Sequence, residues 1–294
     1  AVFPPVGLRQ KDAYFAKEVP LSEKPGRLYV GYLAFNRQKK NSLEDLAGAL
    51  LATPQILYHE QDELKDAWWT QMVYHGSLKS VGNSKTNFQN NIPKKQKRLL
   101  MNYFVSEAEK YEPNYPDQLS EIYNDQGAYE KFTNGKWPKG KKPLTNNDIA
   151  SLYSQCFPIR NINTKSLKGD NTADTNAQVF DSLSSRFDKD DAIDAVLATN
   201  MVSVGLDEPR LALMVMNGQP LTTAEYIQAS SRVGRGDIPG IVFVNYYKTQ
   251  ARSLSHYENF RAYHSSFYRF VEPSSLTPFT KQVRNKALHA ALVT

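Results

Sequence analysis

Three residues following an apolar run have the types and spacing to grip an anion. Gln228 and Arg232 are four apart, Arg235 follows three later, and Gly234 sits between the arginines. On a helix those intervals set all three along one face. Two forked guanidinium groups converging from one face suit an anionic ligand held by several donors at once. The plainer alternative is a pair of surface arginines in ion pairs with nearby acids. Upstream, T-N-M-V-S-V-G-L-D at 199–207 places a hydroxyl at Thr199, a glycine at Gly205 and a carboxylate at Asp207. A third group is Ser77, which ends the run Thr70–Ser77, and Lys79 just after it.

These residues need elements to position them. Ala195–Ala198 is apolar throughout, as in a strand buried on both faces. Leu211–Met216 is a second such run and closes on the turn signal Asn217-Gly218. Thr222 or Thr223 then N-caps a helix carrying Gln228, Arg232 and Arg235, with Glu225 in its first turn where the helix dipole favours an acid. Thr70–Ser77 reads as a strand whose carboxyl end runs into Ser77 and Lys79, ahead of Gly82-Asn83-Ser84 and a short helix. Ligands of parallel α/β sheets bind beyond that end of the strands. Arg160–Gly169 resembles a strand of such a sheet, ending at a glycine turn; Thr172–Phe187 predicts a helix and Ile241–Tyr246 the last strand. This alternation is a parallel α/β pattern.

In this order and register, T-N-M-V-S-V-G-L-D and Q-A-S-S-R-V-G-R resemble motifs V and VI of superfamily 2 helicases. Thr199, Gly205 and Asp207 fall on motif V; Gln228, Arg232, Gly234 and Arg235 fall on motif VI. The resemblance implies the second of two RecA-like lobes. Arg232 and Arg235 would reach across a cleft to the phosphates of ATP, which a first lobe holds together with Mg2+. An arginine finger of this kind is worth roughly three to five decades in rate. Gln228 would orient the phosphates or link the two ligands. Gly205 would let backbone approach the nucleotide, and Asp207 would bind the ribose edge or hold an arginine. Thr199 would contact a nucleic-acid phosphate. Ser77 and Lys79 would stand at motif IV, also against that backbone. The stretch of roughly 190–280, with its aromatic and basic tail, is similar to the helicase component of DISARM phage-defence systems. That implies DNA, with RNA left open, and a partner subunit in a defence complex.

Charge and composition agree with a globular binder of polyanions. The chain has 294 residues, 40% of them hydrophobic and 22% charged, enough for a substantial core and too apolar for wholesale disorder. Net charge is +6, and the stretch from Ile241 to Thr294 holds seven Lys and Arg against two Glu. A basic end suits a nucleic-acid partner, or is simply a solvated basic surface. The single cysteine, Cys156, excludes a disulfide framework and fits a reducing cytosol, so a cytoplasmic location is expected. It reads as a small core residue, and His75 as a packed or turn-bonded one. There is no run of about 18 apolar residues, so no membrane span is expected. His256 and His264 are eight apart, too far along a helix to share a metal, and no metal site is expected.

The expected layout is a RecA-like parallel sheet flanked by helices, with a helical insertion and a helical C-terminal extension. Residues 1–66 read as a connector with a strand over Gly26–Phe35 and a helix over Leu43–Ala52, capped at Ser42 and ending before Pro54. The lobe spans 67–245 with an insertion at about 93–155, and 246–294 forms a basic, aromatic helical extension in which Tyr257, Phe260, His264, Phe267 and Val271 recur at helical spacing. Within the insertion, Trp137 lies between lysines and offers a base-stacking and phosphate-binding surface, which solvated loop charges explain equally. The opening A-V-F-P-P-V-G-L reads as an interior excerpt of a longer protein. The G-x-x-x-x-G-K-[ST] of a first lobe is absent, so this chain alone is expected neither to hold ATP tightly nor to hydrolyse it. The other reading is a non-catalytic nucleic-acid-binding or subunit-docking module of the same fold.

Overall fold

The computed structural model describes residues 19–20, 22–24, 26–58, 61–110, 162–169, 171–200, 207–272, 280–281 and 285. Trp137, Cys156 and Gly205 lie outside these residues. Among the described residues six strands form one sheet: β1 (Leu28–Leu33), β2 (Gln71–Tyr74), β3 (Thr164–Leu167), β4 (Ala195–Ala198), β5 (Leu213–Met216) and β6 (Ile241–Tyr246). Their order is β1-β6-β5-β2-β4-β3, and every pairing is parallel. The central strands β2, β4 and β5 are buried at every position, as their unbroken apolar runs require.

Side-chain alternation along the strands divides the core in two. Met72, Tyr74, Val196, Ala198, Met214 and Met216 join one cluster, whereas Val73, Leu197 and Val215 join the other. The first cluster is covered by α5 (Ala173–Leu183), α6 (Thr223–Ser230) and the tail helices α7 (Ala251–Glu258) and α8 (Phe260–Ser265). The second is covered by α1 (Lys39–Leu57), α3 (Leu78–Asn90) and α4 (Ile92–Lys110), with the short α2 (Asp62–Ala67) between α1 and β2. The result is a helix–sheet–helix sandwich, the expected RecA-like architecture.

Several boundaries differ from the sequence reading. β1 pairs with β6 over its whole length and α1 packs on α4, so residues before 67 supply an edge strand and a layer helix of the sheet. α1 starts before Ser42 and runs through Pro54. Ser42 is buried and gives its hydroxyl proton to Asn245 Oδ1 at 2.6 Å rather than capping a helix. Burial of Leu51, Ala52 and Pro54 offsets the helix bond that proline cannot donate. The start of the expected insertion is α4, which packs on α1 with Gln96 buried and Lys95 bonded to Asp45. α3 begins directly after Ser77, earlier than expected, and continues through Gly82. Among the described residues, the expected helical stripe from Tyr257 to Val271 is divided between two short helices and a 3-10 turn, Phe267–Phe270.

Candidate functional site

Strand register sorts the candidate residues to two ends of the sheet. Tyr74 pairs with both Ala198 and Met216, so His75, Thr199 and Asn217 leave their strands at one level, the carboxyl end. Leu213 pairs with Ile241, and Ile241 with Leu28, so Arg27, Ala212 and Gly240 enter theirs together at the amino end.

At the carboxyl end a cavity of about 230 Å³ is lined by Ser77, Thr199, Asn200, Tyr74, His75 and Glu225, among others. Ser77 N-caps α3, its hydroxyl accepting from the Ser80 N–H at 3.3 Å. Thr199 follows β4 and is buried. Lys79 stands exposed on α3 and does not line the cavity, so the structure unites Ser77 with Thr199 and sets Lys79 apart. Glu225 is fixed on the opposite wall, where the Tyr74 hydroxyl donates to its Oε1. Burial, together with that bond, pushes the Tyr74 phenol far above its ordinary value. His75 is fully buried; its Nδ1 lies 3.0 Å from Ser80 Oγ and accepts from Asn217 Nδ2 at 3.1 Å. Burial, with Lys39 nearby, lowers its pKa to about 3, so the ring is neutral.

At the amino end lie the two arginines, and not on the helix as expected. α6 ends at Ser230, with Ser231 as its C-cap. Arg232 and Arg235 therefore belong to the turn that follows, whereas Gln228 remains on the helix, exposed. Gly234 breaks the helical path with φ of +65°, a conformation open to glycine and costly for other residues. A Cβ there would meet Gly240 N at 2.4 Å. The Gly234 N–H donates to Leu211 O at 2.8 Å, fastening the turn to the start of β5. Arg235 donates from Nε to Ser231 O at 3.1 Å and from Nη1 to Asp207 Oδ1 at 2.5 Å. Arg232 is half-buried; burial first, then the charge of Arg235, lower its pKa, and Asp207 opposes them.

Two further residues hold these elements, and no local sequence pattern marks them. Arg27 donates from Nε to Val233 O at 2.6 Å and from Nη2 to Ser231 O at 3.1 Å, clamping the arginine-bearing turn from the strand edge. Glu272 accepts the Thr223 N–H on both carboxylate oxygens at 2.8 and 2.9 Å, capping α6 beside the Thr222 hydroxyl. Those N–H bonds hold the Glu272 carboxyl below its ordinary value. Among the described residues no group of three His, Cys, Asp or Glu is placed to hold a metal ion, and no helix is long and apolar enough to cross a membrane.

Comparison with known proteins finds partial likenesses. The model of the helicase conserved C-terminal domain matches residues 144–237. The DISARM protein DrmA of Bacillus paralicheniformis is 32% identical over 293 residues, covering 99% of this chain and 22% of that protein. Among solved structures, the DUF1998 helicase MrfA bound to DNA covers 90% of this chain and 25% of its own, at 14% identity and a TM-score of 0.49. Helicase Lhr of Mycobacterium smegmatis, bound to ssDNA and AMP-PNP, covers 91% and 25%, at 11% identity and a TM-score of 0.45. The chain thus spans about a fifth of the curated relative's length. The residues that match the helicase conserved C-terminal domain include both motif segments, and the chain resembles the DISARM protein over nearly its whole length.

Proposed function

We propose that this chain is the second motor lobe of an ATP-dependent DNA helicase or translocase, working with a first lobe of the same longer protein. The observation that carries the reading is the backbone-anchored turn that presents Arg232 and Arg235 together beside Asp207. A guanidinium has five N–H donors. Arg235 commits Nε to Ser231 and one Nη1 donor to Asp207, and its remaining fork suits a phosphate oxygen. The donor set therefore fits a triphosphate. ATP supplies the phosphoryl group for transfer to water, with Mg2+ held mainly by the first lobe. On this reading Arg232 and Arg235 stabilise charge on the phosphates, and Asp207 aims Arg235. Gln228, one turn back on α6, orients the phosphates, and Gly205 gives the nucleotide close access to backbone.

The carboxyl-end cavity then takes the nucleic-acid backbone through the hydroxyls of Ser77 and Thr199, with Lys79 adding long-range attraction. Such contacts bind phosphate without reading sequence. On this reading the polymer is DNA and the setting is defence against phage alongside a partner subunit, as the resemblance to DISARM helicases implies; the likeness to a DISARM protein supports that setting. A reducing cytoplasm suits that role.

The test is DNA-stimulated ATPase of the two-lobe protein, wild type beside Arg235→Ala. Loss of hydrolysis with DNA binding retained supports the motor reading. Unchanged hydrolysis transfers the lobe to a docking or binding role. Measurable turnover by the pure 294-residue chain would overturn the dependence on a first lobe.

A further inference from the structure

A second cavity, of about 390 Å³, opens between α1 and α3 on the other side of the first turn of α3. Lys39 and Lys40 wall it from α1, Ser80, Asn83 and Asn87 wall it from α3, and Asn217 forms its floor. Among the described residues lining it there is no carboxylate. The first turn of α1 likewise holds no acid, and Gln38 gives it no side-chain cap. The positive end of a long helix and two ammonium groups thus face the same space.

The floor is already committed to other bonds. Asn217 Oδ1 accepts from Asn245 Nδ2 at 3.2 Å and from the Tyr247 hydroxyl, while its Nδ2 donates to His75. Ser80 Oγ faces the same His75 nitrogen. This buried network fixes the base of the cavity and leaves the lysines and the exposed Asn83 to meet a ligand. Lys39 Nζ stands 4.6 Å above the Tyr247 ring, and burial lowers its pKa. An ammonium that has given up part of its water gains from an anionic partner. Lys40 makes only a loose approach to Glu44, at 3.9 Å.

The two cavities share a wall. Ser77 and Leu78 line the first and Ser80 lines the second, so the opening turn of α3 separates them at the carboxyl end of the sheet. We propose that the second cavity holds a backbone phosphate of the bound nucleic acid, gripped by Lys39 and Lys40 with Asn83 as an amide donor, so that the strand crosses the first turn of α3. This rests on the reading that nucleic acid occupies the Ser77–Thr199 cavity. It extends that track to residues outside the motif segments.

The experiment is fluorescence anisotropy of a labelled single-stranded DNA with the 294-residue chain, titrated at several salt concentrations. The Lys39→Gln/Lys40→Gln variant is expected to bind about tenfold more weakly, with the slope of log affinity against log salt reduced by about one. Asn83→Asp, which puts a carboxylate in the cavity, should weaken binding in the same direction. Lys85→Gln, an exposed change elsewhere on α3, should have little effect. Unchanged affinity and slope in both cavity variants, with binding weakened by Ser77→Ala/Thr199→Ala, overturns this inference and leaves the first cavity standing. If the Ser77/Thr199 variant also binds like wild type, the parent reading fails, and this one with it. Free phosphate is the other source of the same chemistry, so calorimetric titration with inorganic phosphate forms a separate arm. Saturable phosphate binding that needs the two lysines, with DNA affinity independent of them, assigns the cavity to a free anion and overturns the proposal.

Discussion

Arg235 Nη1 donates to Asp207 Oδ1 at 2.5 Å, tying the turn after α6 to the loop that enters β5. The Asp207 side chain is 73% exposed and that of Arg235 32%. An ion pair so open to water contributes under about 1 kcal/mol to stability. Its effect is therefore on where the guanidinium points. Asp207→Ala should leave the urea midpoint nearly unchanged, while ATPase of the two-lobe protein falls roughly tenfold, the scale of one misplaced transition-state donor. Wild-type hydrolysis in that variant would remove Asp207 from the aiming role.

Gly234 has no room for a side chain. Its φ is +65°, and the added carbon of alanine would lie 2.4 Å from Gly240 N, a backbone atom that cannot swing aside. Gly234→Ala is expected to cost about 2 kcal/mol or more, read from equilibrium urea unfolding. A change below about 0.5 kcal/mol, the range of ordinary surface substitutions, would show that the turn relaxes freely.

The central sheet was legible because its strands announce themselves. Ala195–Ala198 and Ile241–Tyr246 match the observed β4 and β6 residue for residue, and Thr222 caps α6 as one of the two threonines expected there. Burial on both faces leaves an unbroken apolar run, and a cap needs a hydroxyl just before a helix. Where the two arginines stand was not legible. Extending helical periodicity through Arg232 and Arg235 passes over Gly234, whose positive φ ends that geometry. Pro54 misled in the opposite direction, since tertiary packing carried α1 across a residue that by itself predicts a stop. Arg27 and Glu272 were not legible at all. Their partners, Val233 and Thr223, lie 206 and 49 residues away in sequence, and only the sheet brings them within reach.

Arg27 supplies donors to two carbonyls of the arginine-bearing turn, at Val233 and Ser231. Arg27→Met keeps much of the apolar stem and removes both bonds, so a loss of about 1–3 kcal/mol in unfolding free energy is expected. Arg27→Lys should recover little of it, because a single ammonium does not reproduce the planar fork that spans the two acceptors. Full recovery by lysine would reduce the contact to its charge alone.

His75 makes acid stability a sharp test of the buried network at the carboxyl end. Burial and the nearby Lys39 hold its folded pKa at about 3, against an ordinary value of 6.5. The unfolded chain therefore binds the proton more readily, and between those values stability rises with pH. The contribution is complete above about pH 6.5 and declines as pH falls toward 3, by as much as several kcal/mol at 1.36 kcal/mol per pH unit. Exposed carboxylates add their own acid loss below their ordinary range, so the informative quantity is the difference between wild type and His75→Asn. Asparagine carries no titrating proton, and at neutral pH it weakens the bonds to Ser80 and Asn217. The variant should thus start lower yet lose stability less steeply between about pH 6.5 and pH 4, in urea unfolding followed across that range. Parallel slopes for the two proteins would mean that His75 is already protonated in the folded lobe, and that the neutral ring inferred from its burial is wrong.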